Sequence, residues 1–405
     1  MDETKKHKKI CEQVFSHAGK RQAEVIIFSS ENALTRFAEN AVSMLKMQKS
    51  DPLLLPLAKP QPLPKAQNLF DAQTACFSPV SKAEKLAELV QKCKSRGQLA
   101  SGTISNGWTQ ATIANSKGVF ATHRETAASF NVTVKDGGGM GWAGQYDPRI
   151  SGIDFEKVGD DAGEKARLAK NPRPITPGRH TVILEPNAVA NMLFYAGIFG
   201  FGGQFFLEGQ SFLSGKIGRK VLGENMTIED NGIEGRGAGM PFDFEGMPRQ
   251  KVMLIENGIA KAAVHDRKTA KKAGMDTTGH ALPQPNSYGP IPMSLVLKPG
   301  KPTLEEMIKS TKQGILVTQF HYVNLLKPLT LDITGMTRNG TYMIENGRIS
   351  YPVKNMRFTE SVVAAFNRVE EIGCEHTVSE AFFGGKFLVP PLKIKDFNFS
   401  SSTEF

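Results

Sequence analysis

One stretch constrains the fold more than any other. Residues 180–218 read HTVILEPNAVANMLFYAGIFGFGGQFFLEGQSFLSGKIG. Thr181 to Leu184 is a β-branched and apolar run, which predicts a buried strand. Pro186 stops it, since proline has no amide hydrogen for the ladder. Asn187 is then placed to cap a helix, because its side-chain oxygen can accept from the free amides of a first turn. From Ala188 to about Phe206 the residues are apolar nearly all round, the mark of a helix buried on every side. Gly197, Gly200, Gly202 and Gly203 weaken that helix but leave room for other backbone to approach it closely.

A helix of this kind needs a large core around it, and 405 residues with 40% hydrophobic content supply one. More than one folding unit is expected at that length. The most apolar run, Met192 to Gly203, is too short and too Gly-rich to span a membrane. The N-terminus is Lys-rich, with no apolar core of a secretory signal, so the chain reads as soluble and cytoplasmic. Cys11, Cys76, Cys93 and Cys374 form no CxxC pair and read as free thiols. The formal charge is +10, but no nucleic-acid-binding signature accompanies it, and a solvated basic surface accounts for it.

Along the chain, residues 5–18 predict an amphipathic helix with Ile10, Val14 and Phe15 on one side and Gly19 as its stop. Glu24 to Ser29 predicts a strand and Ala41 to Gln48 a second. A Pro-rich connector follows, from Asp51 to Lys65. Ser81 and Glu84 form a capping box that opens a helix to Ser95, with Leu86, Leu89, Val90 and Cys93 on its inner face. From Leu99 to Gly144 the pattern is an antiparallel meander with turns at Asn106-Gly107, Lys117-Gly118 and Asp136-Gly137. Phe155 to Lys170 returns to helix. The second half is strand-rich. It has a strand from Met226 to Glu229, hairpin turns at Asn257-Gly258 and Asn346-Gly347, and a strand from Ile315 to Val323. It also has two helices: a short one capped at Thr303 that ends at Gly314, and one from Thr359 to Ile372. The fold class is therefore α+β: a shortened N-terminal α/β lobe, then a large strand-rich C-terminal domain threaded by a buried central helix. The divisions are a reduced N-terminal segment with its connector (1–65), a central α/β domain (66–175) and a C-terminal β-rich domain (176–405).

The central helix, with the Gly209-Gln210-Ser211-Phe212 turn after it, resembles that of the TldD/TldE (PmbA) peptidase family. EGMPRQ (245–250), DRKTAKKAG (266–274), TTGHA (277–281) and PVKNMRFTES (352–361) resemble it too. In the metal-bearing members of that family the helix carries HExxxH. Here the same places hold Phe194, Tyr195 and Phe199, so both histidines and the glutamate are replaced. A C-terminal Cys-Gly-Lys supplies a further zinc ligand in those relatives, and its counterpart here is Phe383-Gly384-Gly385-Lys386.

Zinc needs three or four His, Cys, Asp or Glu ligands, usually two of them close together on a rigid element. No two of the eight histidines lie three to five residues apart. Cys374-Glu375-His376 is the only clustering of metal-binding types, and it reads as a polar loop because adjacent residues coordinate one ion poorly. Gly139-Met140-Gly141-Trp142-Ala143-Gly144 fits GxGxxG but is followed by Gln145-Tyr146-Asp147-Pro148 and not by a helix, so it reads as a turn. Gly235-Arg236-Gly237-Ala238-Gly239 likewise reads as a loop. Phe194, Tyr195 and Phe199 are core residues in the simplest reading; in the sharper one they fill a vacated metal pocket and shape a peptide groove or a subunit contact.

No catalytic, cofactor-binding or metal-binding residue is assigned to the chain. The resemblance implies the non-metal subunit of a two-chain cytoplasmic peptidase acting on unfolded or short peptides, including trimming of leader segments. Zinc is then expected on a metal-bearing TldD-like partner, and extended peptide as substrate. Two alternatives stay open: an active metallopeptidase with unrecognised ligands, and a regulatory binding protein of the gyrase-modulator type.

Overall fold

The computed structural model describes residues 11–18, 21–28, 34–52, 54–65, 69–233, 236, 239–381 and 385–403, with side chains from 39 onward. At the N-terminus β1 (Cys11–Ala18) and β2 (Arg21–Phe28) form an antiparallel hairpin, followed by α1 (Leu34–Met47). Two expectations are corrected here. Residues 11–18 are strand, not helix; the rest of that expected helix and its Gly19 stop lie outside the described residues. Ala41 to Gln48 is not a strand: Ala41 to Met47 belongs to α1, and Gln48 follows its end. Ala41 and Leu45, four apart, are buried while the residues between them are exposed, which is helical and not alternating burial.

The middle of the chain holds α2 (Ala72–Ala75), α3 (Pro79–Ser95), β3 (Leu99–Ala114), β4 (Phe120–Asp136), β5 (Gly139–Asp147) and α4 (Phe155–Leu168). The cap of α3 is Ser78, whose hydroxyl accepts from the Ser81 amide, with Pro79 in the first turn. Leu89 and Cys93 are buried as expected, but Val90 points outward, 37% exposed. The strands run in the order β3-β4-β5 as an antiparallel meander. Asn106-Gly107 is not one of its turns: β3 pairs with β4 without interruption from Leu99 to Ala114, and the Asn106 side chain donates to the Thr74 carbonyl. The GxGxxG segment forms β5. A Cβ at Gly141 would come within 2.3 Å of the Ala162 carbonyl of α4, so this glycine serves close strand–helix packing.

The C-terminal part contains β6 (Gly178–Leu184), α5 (Pro186–Tyr195), α6 (Gly203–Leu207), β7 (Ile228–Asp230), β8 (Val252–Glu256), β9 (Ile259–Ala260), α7 (Arg267–Ala273) and β10 (Leu295–Leu297). After these come α8 (Leu304–Lys309), β11 (Gln313–Lys327), β12 (Asp332–Glu345), β13 (Arg348–Pro352), β14 (Met356–Ser361), α9 (Val362–Phe366), β15 (Val369–Ile372), β16 (Thr377–Glu380), β17 (Lys386–Val389) and β18 (Leu392–Ser402). Strands β11, β6, β18, β14 and β12 pair in that order, and β12 pairs back onto β11, so they close into a barrel. Phe320, Phe358 and Phe397 meet inside it with ring centroids 4.3–5.9 Å apart. A second sheet runs β16-β17-β10-β7-β8-β9.

Both Asn-Gly hairpins form as expected, with Asn257, Gly258, Asn346 and Gly347 all at positive φ. The capping box at Thr303 and Glu306 is complete in both directions, although α8 ends at Lys309 and Gly314 lies in β11. The helix expected over Thr359 to Ile372 shrinks to α9. Val362, Phe366 and Val369 are buried as expected, but Val369 is buried as part of β15, which pairs with β18. The Pro-rich connector lies across the surface. Arg267 donates to the Pro56 carbonyl (2.8 Å) and Asn115 to the Ala58 carbonyl (2.9 Å), and Ala58 packs with Val119 and Met247.

Candidate functional site

The site forms where the barrel meets the second sheet. Strand β6 ends at Leu184, and Glu185 then caps α5 by its backbone alone, with Pro186 as the first helical residue. The Glu185 carboxylate accepts from Lys165 of α4 (2.6 Å) and from the Thr318 hydroxyl (3.2 Å). Asn187 is therefore inside the first turn and not the cap; its amide donates to the Glu380 carbonyl. Helix α5 packs against β11 on one side and against β16 and β17 on the other. Ala188 to Leu193 are all buried, as their composition requires.

The single continuous helix expected to Phe206 is interrupted. Residues Ala196–Gly200 form a π turn, closed by the Phe201 amide donating to the Ala196 carbonyl five residues back. A new short helix starts at Gly203. The glycines permit this. A Cβ on Gly200 would stand 2.5 Å from the Phe212 ring, and one on Gly203 would stand 2.5 Å from both the His265 ring and the Val264 carbonyl. The Gly209–Phe212 turn locks the break from outside, because the Ser211 hydroxyl donates to the Gly200 carbonyl and accepts from the Leu213 amide.

The π turn changes which side chains share a side of the helix. On a regular α-helix, residues five apart point roughly 140° away from each other. One extra residue in the turn brings positions 194 and 199 back toward a common face. Both side chains are half-buried, unlike the fully buried residues around them. Phe194 stands edge-on to Tyr195, centroids 5.2 Å apart. Phe199 meets Phe205 at 5.1 Å and the exposed Tyr288 at 6.5 Å. Tyr195 turns inward and its hydroxyl donates to the Val323 carbonyl at 2.5 Å. Burial pushes that hydroxyl up to about 12, so at neutral pH it is a donor and not a base.

These residues do not fit a zinc ion. A phenyl ring has no lone pair, and the one oxygen present is committed to a backbone carbonyl. Among the described residues, no group of three or more His, Cys, Asp and Glu side chains is placed to hold a metal. Phe383 and Gly384 lie outside the described residues. Cys374 and His376 are not brought into a site: the Cys374 amide donates to the Pro302 carbonyl, and the His376 ring lies 3.2 Å from the Leu388 carbonyl. Of the Gly235–Gly239 loop only Arg236 and Gly239 are described.

A second polar cluster supports this face, and it was not foreseen from sequence. Asp230, Arg249 and His280 are all buried. Asp230 accepts from Arg249 (3.1 Å) and His280 (2.9 Å) through one oxygen, and from the Ser294 amide (2.7 Å) through the other. Burial alone would raise the Asp230 carboxyl, but Arg249 and His280 outweigh it and hold it well below the usual range. Burial pushes His280 down despite that carboxylate, so the ring stays neutral. Nε2 lies 2.9 Å from Asp230, and Nδ1 lies 2.8 Å from the Thr278 carbonyl and 2.9 Å from the Thr278 hydroxyl, which accepts from the His265 amide and donates to the His265 carbonyl. Beside it, burial pushes the Asp243 carboxyl up to about 6, although it accepts three backbone amides, those of Glu245, Met247 and Ala281.

The cluster therefore ties the end of β7 to two loops and positions the segment carrying Tyr288, whose Pro290 carbonyl lies against Gly202. The sequence signal was present in the EGMPRQ and TTGHA segments, which contain Arg249 and His280. Nothing in their composition named Asp230 as the common partner.

Comparison with known proteins agrees with this architecture. A family model described as the PmbA/TldA metallopeptidase C-terminal domain matches residues 177–401, and the central-domain model of that family matches residues 77–170. A metalloprotease of Methanothermobacter thermautotrophicus is 26% identical over 284 residues, which cover 67% of this chain and 61% of that protein. The chain thus spans under two thirds of that relative's length. Among solved structures, TldE from Thermococcus kodakarensis superposes with a TM-score of 0.83 at 24% identity, over 95% of this chain and 89% of that one. A candidate modulator of a DNA gyrase from Thermotoga maritima superposes with a TM-score of 0.82 at 18% identity, over 95% and 88%. Barrel, second sheet and interrupted helix are thus set in a chain that belongs to the PmbA/TldD family, whose members are of peptidase or gyrase-modulator type.

Proposed function

We propose that this chain is a non-metal subunit of a two-chain, cytoplasmic peptidase, acting with a metal-bearing partner on unfolded or short peptides and trimming leader segments. The observation that carries the reading is the occupancy of the motif face. Positions 194 and 199, before and within the π turn, both hold half-buried phenylalanine, while position 195 spends its hydroxyl on the Val323 carbonyl. What such a face offers chemically is contact, not catalysis. Half-exposed aromatic rings next to Tyr288 suit an extended apolar peptide or a subunit surface. The Asp230–Arg249–His280 cluster keeps the Tyr288 segment in place beside them.

The test is metal content and activity together. The purified chain is expected to hold no stoichiometric zinc by elemental mass spectrometry and to leave unstructured peptides intact. Peptidase activity is expected on mixing with a metal-bearing relative, and Phe199→Ala is expected to lower that activity mainly through KM. One tightly held zinc per chain, with chelator-sensitive cleavage, would overturn the reading. If that zinc disappeared in C374A/H376A, the C-terminal cluster would be the site.

A further inference from the structure

We propose that Arg338 and Gln319, side by side on β12 and β11, bind a peptide carboxylate, with the exposed Tyr322 ring beside them for the peptide's apolar part. This site deepens the peptidase reading, on which it rests: it names what the bound peptide must carry. A backbone outlier marks the place. Among the described residues most non-glycines at positive φ are Asn or Asp, which tolerate it, but Tyr322 stands at φ 54°. A bulky residue is held there only where its surroundings over-determine it, and such places cluster at ligand clamps and switch regions. The ring is not packed away, since Tyr322 is 62% exposed. The next residue, Val323, is the one whose carbonyl takes the Tyr195 hydroxyl, so this bend lies against the motif helix.

Two irregularities in the β11–β12 ladder, at Val317/Gln319 and His321/Asn324, leave a short paired piece between them. In it Gln319 faces Arg338, Phe320 faces Thr337 and His321 faces Met336. Phe320 and Thr337 are buried, so alternation sends Gln319, His321 and Arg338 to the opposite face. There Arg338 Nη1 lies 2.6 Å from His321 Nε2. A guanidinium can only donate, so this ring nitrogen accepts and the imidazole is neutral. Burial and the Arg338 charge both hold His321 below its ordinary value, in agreement. A neutral histidine fixes the arginine without cancelling its charge. Arg338 is exposed, and among the described residues it forms no ion pair. Gln319 accepts from the Asn339 amide through its oxygen (2.9 Å), which leaves its own N–H groups as donors. The pair thus presents a forked cation and an amide donor with no carboxylate bonded to either. A carboxylate matches that fork with two parallel bonds.

The test is calorimetric binding of three short acetylated peptides to the full chain. One is an alanine peptide ending in leucine as the free acid, the second is the same peptide as its C-terminal amide, and the third is that amide with one internal glutamate. At least one carboxylate-bearing peptide is expected to bind about tenfold or more tightly than the neutral amide. Which of the two does so tells a chain terminus from an acidic side chain. R338Q should abolish the preference and leave the affinity for the neutral amide unchanged. R338K keeps the charge but not the fork, and should retain only part of the preference. Melting temperature should be unchanged in both variants, because the Arg338 side chain is exposed. Equal binding of all three peptides, or of none, overturns the carboxylate site and leaves the peptidase reading to its own test of metal content and activity. A preference that survives in R338Q overturns it too, as does displacement of the free acid by an equal concentration of inorganic phosphate.

Discussion

At the scale of single residues, Tyr195 and Asp230 carry the argument. Tyr195 acts as a buried anchor for the Val323 carbonyl. Tyr195→Phe leaves that carbonyl without its donor, so a loss of about 1 kcal/mol is expected in chemical denaturation, with no change in metal content. Asp230→Asn removes the carboxylate that, among the described residues, is bonded to Arg249, and leaves a buried charge without that counter-ion. A loss of about 3–5 kcal/mol is expected, enough to lower expression or the melting temperature sharply. The pH dependence has a definite sign. Burial pushes His265 and His280 below their ordinary values, so the fold favours their neutral form. Stability from this source is complete above the unfolded value of about 6.5 and declines as pH falls toward the depressed folded values. His280→Gln should therefore lose less melting temperature than the wild type between pH 7.5 and pH 5, while the Asp243 carboxyl, raised by burial, pulls the other way in both chains. That cluster was hidden in the sequence because Arg249 and His280 lie 19 and 50 positions after Asp230, in two loops and at the end of a strand, with no period to connect them.

At the scale of elements, the buried helix was legible and its interruption was not. Apolar composition on all sides of Ala188 to Leu193 foretold burial correctly. The π turn depends on what each glycine faces: the Phe212 ring for Gly200, the Val264 carbonyl and His265 for Gly203. Those partners come from distant segments and leave no local mark. Gly200→Ala tests the point. Its new methyl would meet the Phe212 ring at 2.5 Å, and a cost of about 1–3 kcal/mol is expected by thermal melting. The Asn-Gly hairpins were readable because a two-residue turn at positive φ has its own chemistry. Asn106-Gly107 carried the same signal falsely, since 16 consecutive pairings with β4 outweigh one dipeptide preference. The N-terminal helix and strand were exchanged for a similar reason: short apolar patterns fit either period until packing decides.

At the scale of the whole molecule, the Pro-rich connector is a strap between parts distant in sequence. It touches the β3–β4 hairpin tip through Asn115 and Val119, and the C-terminal part through Arg267 and Met247. Asn115→Ala with Arg267→Ala should speed proteolytic cleavage within residues 51–65 while shifting the melting temperature little, as local opening costs less than global unfolding. Family membership and α+β class were recoverable from the sequence, since they rest on long matched segments and broad composition. The closing of the second half into a barrel was not, because β11 and β12 meet only through pairings that span the domain.

The π turn also behaves as a phase adjuster within the site helix. Removing one residue between Ala196 and Gly200, for instance Ile198, would let the helix run on at its ordinary pitch. Everything after the deletion would then rotate by about 100° relative to Phe194. Phe199 would leave the shared face, and Gly200 would no longer sit beneath Phe212. Any chain that keeps positions 194 and 199 toward one side of this helix is therefore bound to keep the odd residue in the coil.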